Sequence, residues 1–380
     1  MAPNTLTVVN YVFDPALTSP ELLLHRYDAL TDWCRAVARR GMRVRLVQAF
    51  SSDAAFTADN VEWVFRTVAS SSSHRIAHLH DAVLSHAPDV VHVNGLETVA
   101  QTWRLRRVLP EATALVVQHH GGTAPQSRLS TFVKGAFMGD IDGYLFTSRQ
   151  QAAPWIATGL IPDDAVQEVL EASTSFHPMN QAEARERTGV HGTPAVLWVG
   201  RLQPNKDPLT VLDGFFRCAD RLPASTLTMV FREADLLSAV QQLVAEHPQH
   251  AARVHLVGEV ARHEMPAWYS AADIFVLGSA SEVCGYSALE ACACGTVPVL
   301  SDIAPFQTIT GHGAIGRLWR RGDPQAFADA LVEACAGLTG DRARVMEHFS
   351  RNLSWDAVAR QACDAYVYAH QRRARAHRAP

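Results

Sequence analysis

What most constrains the fold of this 380-residue chain is a repeated alternation of short apolar, β-branched runs with longer stretches of helical composition. Leu6-Thr7-Val8-Val9 opens the series, residues 21–40 read as a helix, and Arg43-Val44-Arg45-Leu46-Val47 follows after Gly41. Further strand-type runs stand at 89–93, 114–118 and 143–147. Such runs, spaced by helices, belong to a parallel sheet covered on both faces. The alternation breaks at 171–180, a turn-rich stretch without sustained period, and resumes with strands expected at 195–199, 226–231, 254–257, 273–277 and 297–301. The expected fold is therefore α/β, with two doubly wound parallel-sheet domains at 1–172 and 173–359.

The length suffices for two cores of ordinary size. A net charge of −4, with no long basic stretch before the extreme C-terminus, argues against nucleic acid as a partner. Seven cysteines, an odd number, do not resemble a disulfide framework, and the N-terminal residues lack a charged and then apolar leader, so a cytoplasmic location is expected. Cys292 and Cys294 have no second pair or histidine cluster at metal spacing and read as small buried residues; neither a metal nor another cofactor is expected. No stretch is long enough to span a bilayer. Trp103-Arg104-Leu105-Arg106-Arg107-Val108-Leu109 is the sole candidate for peripheral contact with anionic lipid, and it equally suits a solvated helix face.

The segment from Ser281 to Val299 carries most of the functional information. It follows the apolar run Asp273 to Leu277 and precedes a helical stretch from Ser287 to Cys294, so its loop opens a helix whose first N–H groups suit an anion. Glu282 lies in that loop and Glu290 eight positions later in the helix, too far apart to stack on one face. Carboxylates on either side of a diphosphate would suit two separate hydroxyl-rich groups. The plainer alternative is a solvated Glu282 and a Glu290 that merely favours the helix start. In the second domain Val196 to Pro208 ends a strand in Gly200-Arg201-Leu202 and continues to Lys206, placing two cations where a strand end meets a ligand.

These two blocks resemble the retaining glycosyltransferases of family 4, with their E-x7-E signature, the run Glu290 to Val299 and the strand followed by Gly-Arg-Leu and Lys. The resemblance covers most of the chain, carried by 195–208 and 273–310. It implies the GT-B architecture, two Rossmann-like domains facing a central cleft, with acceptor on the first and nucleotide-sugar donor on the second. It also implies that the last helix, about 360–380, packs back on the first domain; Arg372 to Arg378 reads as a frayed basic tail.

By the same resemblance the catalytic residues are His120, Glu282, Arg201 and Lys206. The two cations stabilise the departing diphosphate, Glu282 meets hydroxyls of the transferred sugar, and His120, with His119 as the alternative, contacts that sugar. The donor is held by Gly200, Cys284, Gly285, Tyr286, Ser287 and Glu290, the last on the ribose. Asn94 and Gly95 are acceptor-side candidates. Three departures stand out: Cys284 where the family commonly has an aromatic residue, Phe13 to Pro20 in place of a Gly-Gly loop after the first strand, and no glycine-rich turn at 229–235. The expected activity is transfer of a sugar from a nucleotide-diphosphate sugar to a hydroxyl-bearing acceptor, be it small molecule, glycan or lipid-linked. The alternatives are a hydrolase, epimerase or sugar phosphorylase on the same fold, or a non-catalytic nucleotide-sugar sensor. The motifs name neither the base, the sugar, the acceptor, the pathway nor the oligomeric state.

Overall fold

A computed structural model describes residues 2–68 and 76–376 of the chain. Internal contacts divide it into two units, one running to Ala172 and resuming at Trp355, the other Ser173–Ser354.

Unit 1 contains β1 (Thr5–Asn10), β2 (Arg43–Phe50), β3 (Ala54–Ala58), β4 (Val61–Thr67), β5 (Val90–Asn94), β6 (Ala114–Gln118), β7 (Gly143–Phe146) and β8 (Val166–Glu168). They form one sheet in the order β3-β4-β2-β1-β5-β6-β7-β8. Every pairing is parallel except β3 with β4. The order reverses between β1 and β5, the place where an open α/β sheet leaves a crevice at its carboxyl edge. The sequence pattern left β3 and β4 unread. β3 is an exposed edge strand and lacks the β-branched run that marks its neighbours. Its turn passes through Asp59 and Asn60, both at positive φ, the pattern of a two-residue hairpin turn.

The single helix expected over 21–40 is two, Pro20–Arg26 and Asp28–Arg39. Tyr27 between them leaves helical geometry, and Thr31 Oγ1 donates to Leu24 O, satisfying a carbonyl at the break. The C-terminal helix Trp355–Ala376 lies on unit 1. Its Tyr366 is fully buried; the hydroxyl accepts from Trp33 Nε1 at 3.0 Å and bonds His92 Nδ1 at 2.8 Å. The frayed tail does not begin at Arg372. That residue pairs with Asp164, and buried Arg373 donates to Glu111 O at 2.7 Å and pairs with Asp140, so the helix persists to Ala376. Of the basic tail, residues 377 and 378 lie outside the described residues.

Unit 2 contains β9 (Ala195–Gly200), β10 (Thr226–Phe231), β11 (Val254–Gly258), β12 (Ile274–Leu277), β13 (Val297–Ser301) and β14 (Arg317–Trp319). All pair parallel in the order β11-β10-β9-β12-β13-β14, which reverses between β9 and β12. β14, only three residues long, was too short to be anticipated from periodicity. Trp198, Phe215, Phe275, Phe306 and Phe327 are fully buried in this unit. Large aromatic burial of this kind is the main term that holds such a sheet to its helices.

Candidate functional site

In unit 2 the carboxyl ends of β9 and β12 lie side by side at the switch point, so the loops that follow them are neighbours by topology. The first continues through the short helical turn Pro204–Lys206 to Asp207, which has a φ of 46° and caps the helix Pro208–Arg217 through Thr210 N. The second runs from Gly278 to Gly285. Hydrogen bonds stitch the two: Ala280 N donates to Asn205 O at 2.7 Å, Asn205 Nδ2 to Ser281 O at 3.0 Å, and Ser281 Oγ to Asn205 Oδ1 at 3.1 Å. Ser301 Oγ on β13 donates to Ser279 O at 2.7 Å. Both loops are thereby fixed before any ligand arrives.

That stitching brings Lys206 to Glu282. Their side chains form an ion pair only 14% and 12% exposed, and Ser279 Oγ donates to the same carboxylate oxygen at 2.6 Å. A solvated Glu282 is therefore excluded. Removing charges from water is costly, and this pair is retained because each offsets the other. Arg201, at the end of β9, is 47% exposed and stands 3.7 Å from Glu233, which Gln203 Nε2 also engages at 2.9 Å. An exposed pair at that distance contributes little, so Arg201 can swing to another anion at small cost. Gly200 precedes it, with the Trp198 ring against its Cα face.

Gly285 is buried with a φ of 76°, and a Cβ there would stand 2.8 Å from Cε1 of fully buried Phe306. Only glycine suits this turn into the helix Tyr286–Ala293, whose start carries no side-chain cap. Cys284 is buried, Tyr286 is exposed and Ser287 half-buried at the first two helical positions. Glu290, in the second turn, is 6% exposed. Its Oε1 accepts from Arg262 Nη1 at 2.8 Å and its Oε2 from the Tyr269 hydroxyl at 2.9 Å. Burial and the adjacent carboxylate hold the Tyr269 phenol well above its ordinary pKa, so it stays a donor. Arg262 also lies over the Phe176 ring at 5.2 Å. These partners exclude a Glu290 that merely complements the helix start.

In unit 1, β6 is followed by His119 and His120 and then by Gly121 and Gly122, both at positive φ. Their surroundings differ. His119 is buried, stacked on Phe146 at 4.7 Å and edge-on to Trp155, and burial depresses its pKa. His120 is half-buried, and its Nδ1 stands 2.7 Å from Glu171 Oε1. Asn94 is half-buried at the end of β5, and Gly95 follows at a φ of 128°. After β1, where a Gly-Gly loop is replaced, Asn10 Nδ2 donates to Gln48 Oε1 and Gln48 Nε2 to Val12 O.

The arginine patch on the helix Val99–Arg106 is not a uniform cationic face. Arg106 is buried and donates to Thr113 O and Pro110 O at 2.7 and 2.8 Å, while Arg107 lies over the Trp103 ring at 4.7 Å. No helix among the described residues is long and apolar enough to cross a membrane. Among those residues no group of three His, Cys, Asp or Glu is arranged to hold a metal. Cys292 and Cys294 are buried, with thiols pushed up to about 12. Sequence reasoning missed Ser279, Asn205, Tyr269 and Glu171, the last three of which act through partners far away in the chain. Only Ser279 lay close enough to Glu282 to have been suspected.

Residues 193–336 match the family model described as glycosyl transferases group 1. D-inositol 3-phosphate glycosyltransferase 2 of Catenulispora acidiphila is 32% identical over 202 residues, 50% of this chain and 47% of that protein. Mannosylfructose-phosphate synthase of Agrobacterium fabrum is 31% identical over 208 residues, 49% of this chain and 43% of that protein. The chain spans about half the length of the curated relatives it matches. Among solved structures, sucrose-phosphate synthase from Thermosynechococcus elongatus superimposes with a TM-score of 0.67 at 18% identity, covering 96% of this chain and 98% of that one. Anabaena Alr3699/HepE in complex with UDP and glucose gives 0.67 at 18%, covering 95% and 98%. A glycosyltransferase from Rickettsia africae gives 0.71 at 12%, covering 96% and 98%. The fold is therefore the one these proteins share, two parallel-sheet α/β units of the GT-B kind.

Proposed function

We propose that this protein is a retaining glycosyltransferase that moves a sugar from a nucleotide-diphosphate sugar to a hydroxyl-bearing acceptor. The observation that carries the reading is the pair of stitched loops at the β9/β12 switch point, with Lys206, Glu282 and Ser279 joined just ahead of a helix start. The similarity over 193–336, and a structural neighbour crystallised with UDP and glucose, support it.

In this reading the donor diphosphate meets Lys206, Arg201 and the helix start after Gly285, so its charge is balanced by side chains and backbone without a metal. Glu282 then turns from Lys206 to hydroxyls of the transferred sugar. Glu290, oriented by Arg262 and Tyr269, meets the ribose. Gly200, Cys284, Tyr286 and Ser287 border the donor. The bond between the anomeric carbon and the diphosphate oxygen breaks, a bond to the acceptor oxygen forms on the same face, and the acceptor proton passes to the departing phosphate. His120 offers its ring to a substrate hydroxyl, while buried His119 supports it; Asn94 and Gly95 border the acceptor. Seven cysteines, none of them in a disulfide, suit a reducing cytoplasm.

The test is thermal denaturation with a panel of nucleoside diphosphates and their sugars, followed by product analysis with the sugar that stabilises the protein. A ligand that binds only the folded state raises stability by RT ln(1 + [L]/Kd). A selective shift and a new glycosidic bond of donor configuration are expected. Binding without turnover would instead indicate a sensor, and turnover to free sugar a hydrolase. No shift with any member would end the nucleotide-sugar reading.

A further inference from the structure

Unit 1 brings together two groups that the sequence separates by 51 positions, His120 just after β6 and Glu171 beyond β8. Val169 N still donates to Phe146 O on β7, and Leu170 and Ala172 are buried on either side of Glu171, so the segment that carries this carboxylate is fixed by the sheet. Glu171 is itself mostly covered, its side chain 13% exposed. An ionised carboxylate only accepts hydrogen bonds, so the 2.7 Å contact requires the hydrogen on Nδ1 of His120. A neutral imidazole in water carries that hydrogen mainly on Nε2. In the neutral ring the contact with Glu171 reverses that intrinsic preference and leaves Nε2 as a bare lone pair. Nε2 is buried and has no hydrogen-bond partner among the described residues; the same is true of Glu171 Oε2. A buried polar atom without a partner needs a reason, and a ligand group that completes its bonding is one.

We infer that Glu171 is a positioning residue for His120, fixing the ring's orientation and tautomer so that Nε2 accepts a hydrogen bond from a substrate hydroxyl. The inference rests on the glycosyl-transfer reading only for the identity of that hydroxyl. The carboxylate does not touch substrate in this role. It acts as the outer partner of a working histidine, which sets which ring nitrogen is available.

The experiment uses the full chain labelled with ¹⁵N-histidine, with H120N to assign the ring signals. The long-range ¹H–¹⁵N spectrum of the wild type should show His120 with hydrogen on Nδ1 and a bare Nε2. In E171L the hydrogen should move to Nε2, with the melting transition retained; E171A carries the same comparison if E171L does not fold. With the stabilising nucleotide sugar, E171L should lower kcat by roughly 10- to 100-fold, as for other residues that orient a working histidine, with the donor KM little changed. The same substitution in an H120A background should add no further loss, because two residues acting as one unit are not additive. An unchanged nitrogen pattern in the folded variant, or an equal loss in both backgrounds, overturns the inference. If the wild type turns over no nucleotide sugar, the functional reading fails while the nitrogen spectrum still judges the pairing.

Discussion

At the scale of single residues, Lys206 and Glu282 decide most. With Lys206 replaced by alanine, Glu282 and Ser279 remain, and a mostly buried carboxylate loses its counter-charge. K206A should therefore destabilise the fold by about 1–3 kcal/mol, at the lower end for a pair that keeps some water. Adding E282Q should restore part of that loss, because the orphaned charge is then gone. Urea denaturation of both single variants and the double variant measures the coupling; purely additive losses would mean the pair does not act as one unit. K206A should also abolish the stabilisation by nucleoside diphosphates. The residue types and spacing of Lys206, Glu282 and Glu290 were legible in sequence. That Lys206 and Glu282 pair in the structure was not, because 76 positions separate them and only the β9/β12 adjacency closes that gap.

At the scale of elements, the turn from β12 into the helix Tyr286–Ala293 depends on Gly285. G285A places a methyl group against buried Phe306 in a backbone conformation that side chains disfavour. A cost of about 1–3 kcal/mol and a displaced helix start are expected, read as a lowered urea midpoint together with weakened nucleotide binding. Loss of stability without loss of binding would separate the turn from the site. The C-terminal helix poses a second elemental test. Y366F removes the oxygen that accepts from Trp33 Nε1 and bonds His92, in a fully buried place. Leaving those groups unpaired should cost about 1–3 kcal/mol by the same denaturation. Sequence reading foresaw helical composition there and misjudged the tail. Arg373 looks like a solvated charge until Asp140, Asp142 and the Glu111 carbonyl are seen around it. Such a change from exposed to buried depends on long-range neighbours, which no local pattern reports.

At the scale of the whole molecule, several histidines are folded in neutral form. Burial lowers His80 and His86 to about 4 and His92 to about 3, against 6.5 in the unfolded chain. Between these values the unfolded state binds more protons, so unfolding free energy rises with pH across that window and falls as pH drops from 6.5 toward 4. All three belong to unit 1. The urea midpoint should therefore fall between pH 7 and pH 5, and H92Q should shrink the fall. An equal fall in H92Q would place the acid sensitivity elsewhere.

The sequence by itself determined the α/β class and two parallel sheets, because strands buried on both faces leave near-continuous apolar runs that helices must separate. It also determined the residue types of the candidate donor site, since glycine at a left-handed turn and cations after a strand are local requirements. Only the tertiary structure decided strand order, the edge hairpin β3–β4, and which groups became partners: Lys206 with Glu282, Glu290 with Arg262 and Tyr269, His120 with Glu171. The physical reason is the same in each case. Secondary structure answers to neighbours a few residues away, whereas charge pairing and burial answer to whatever the sheet order places alongside.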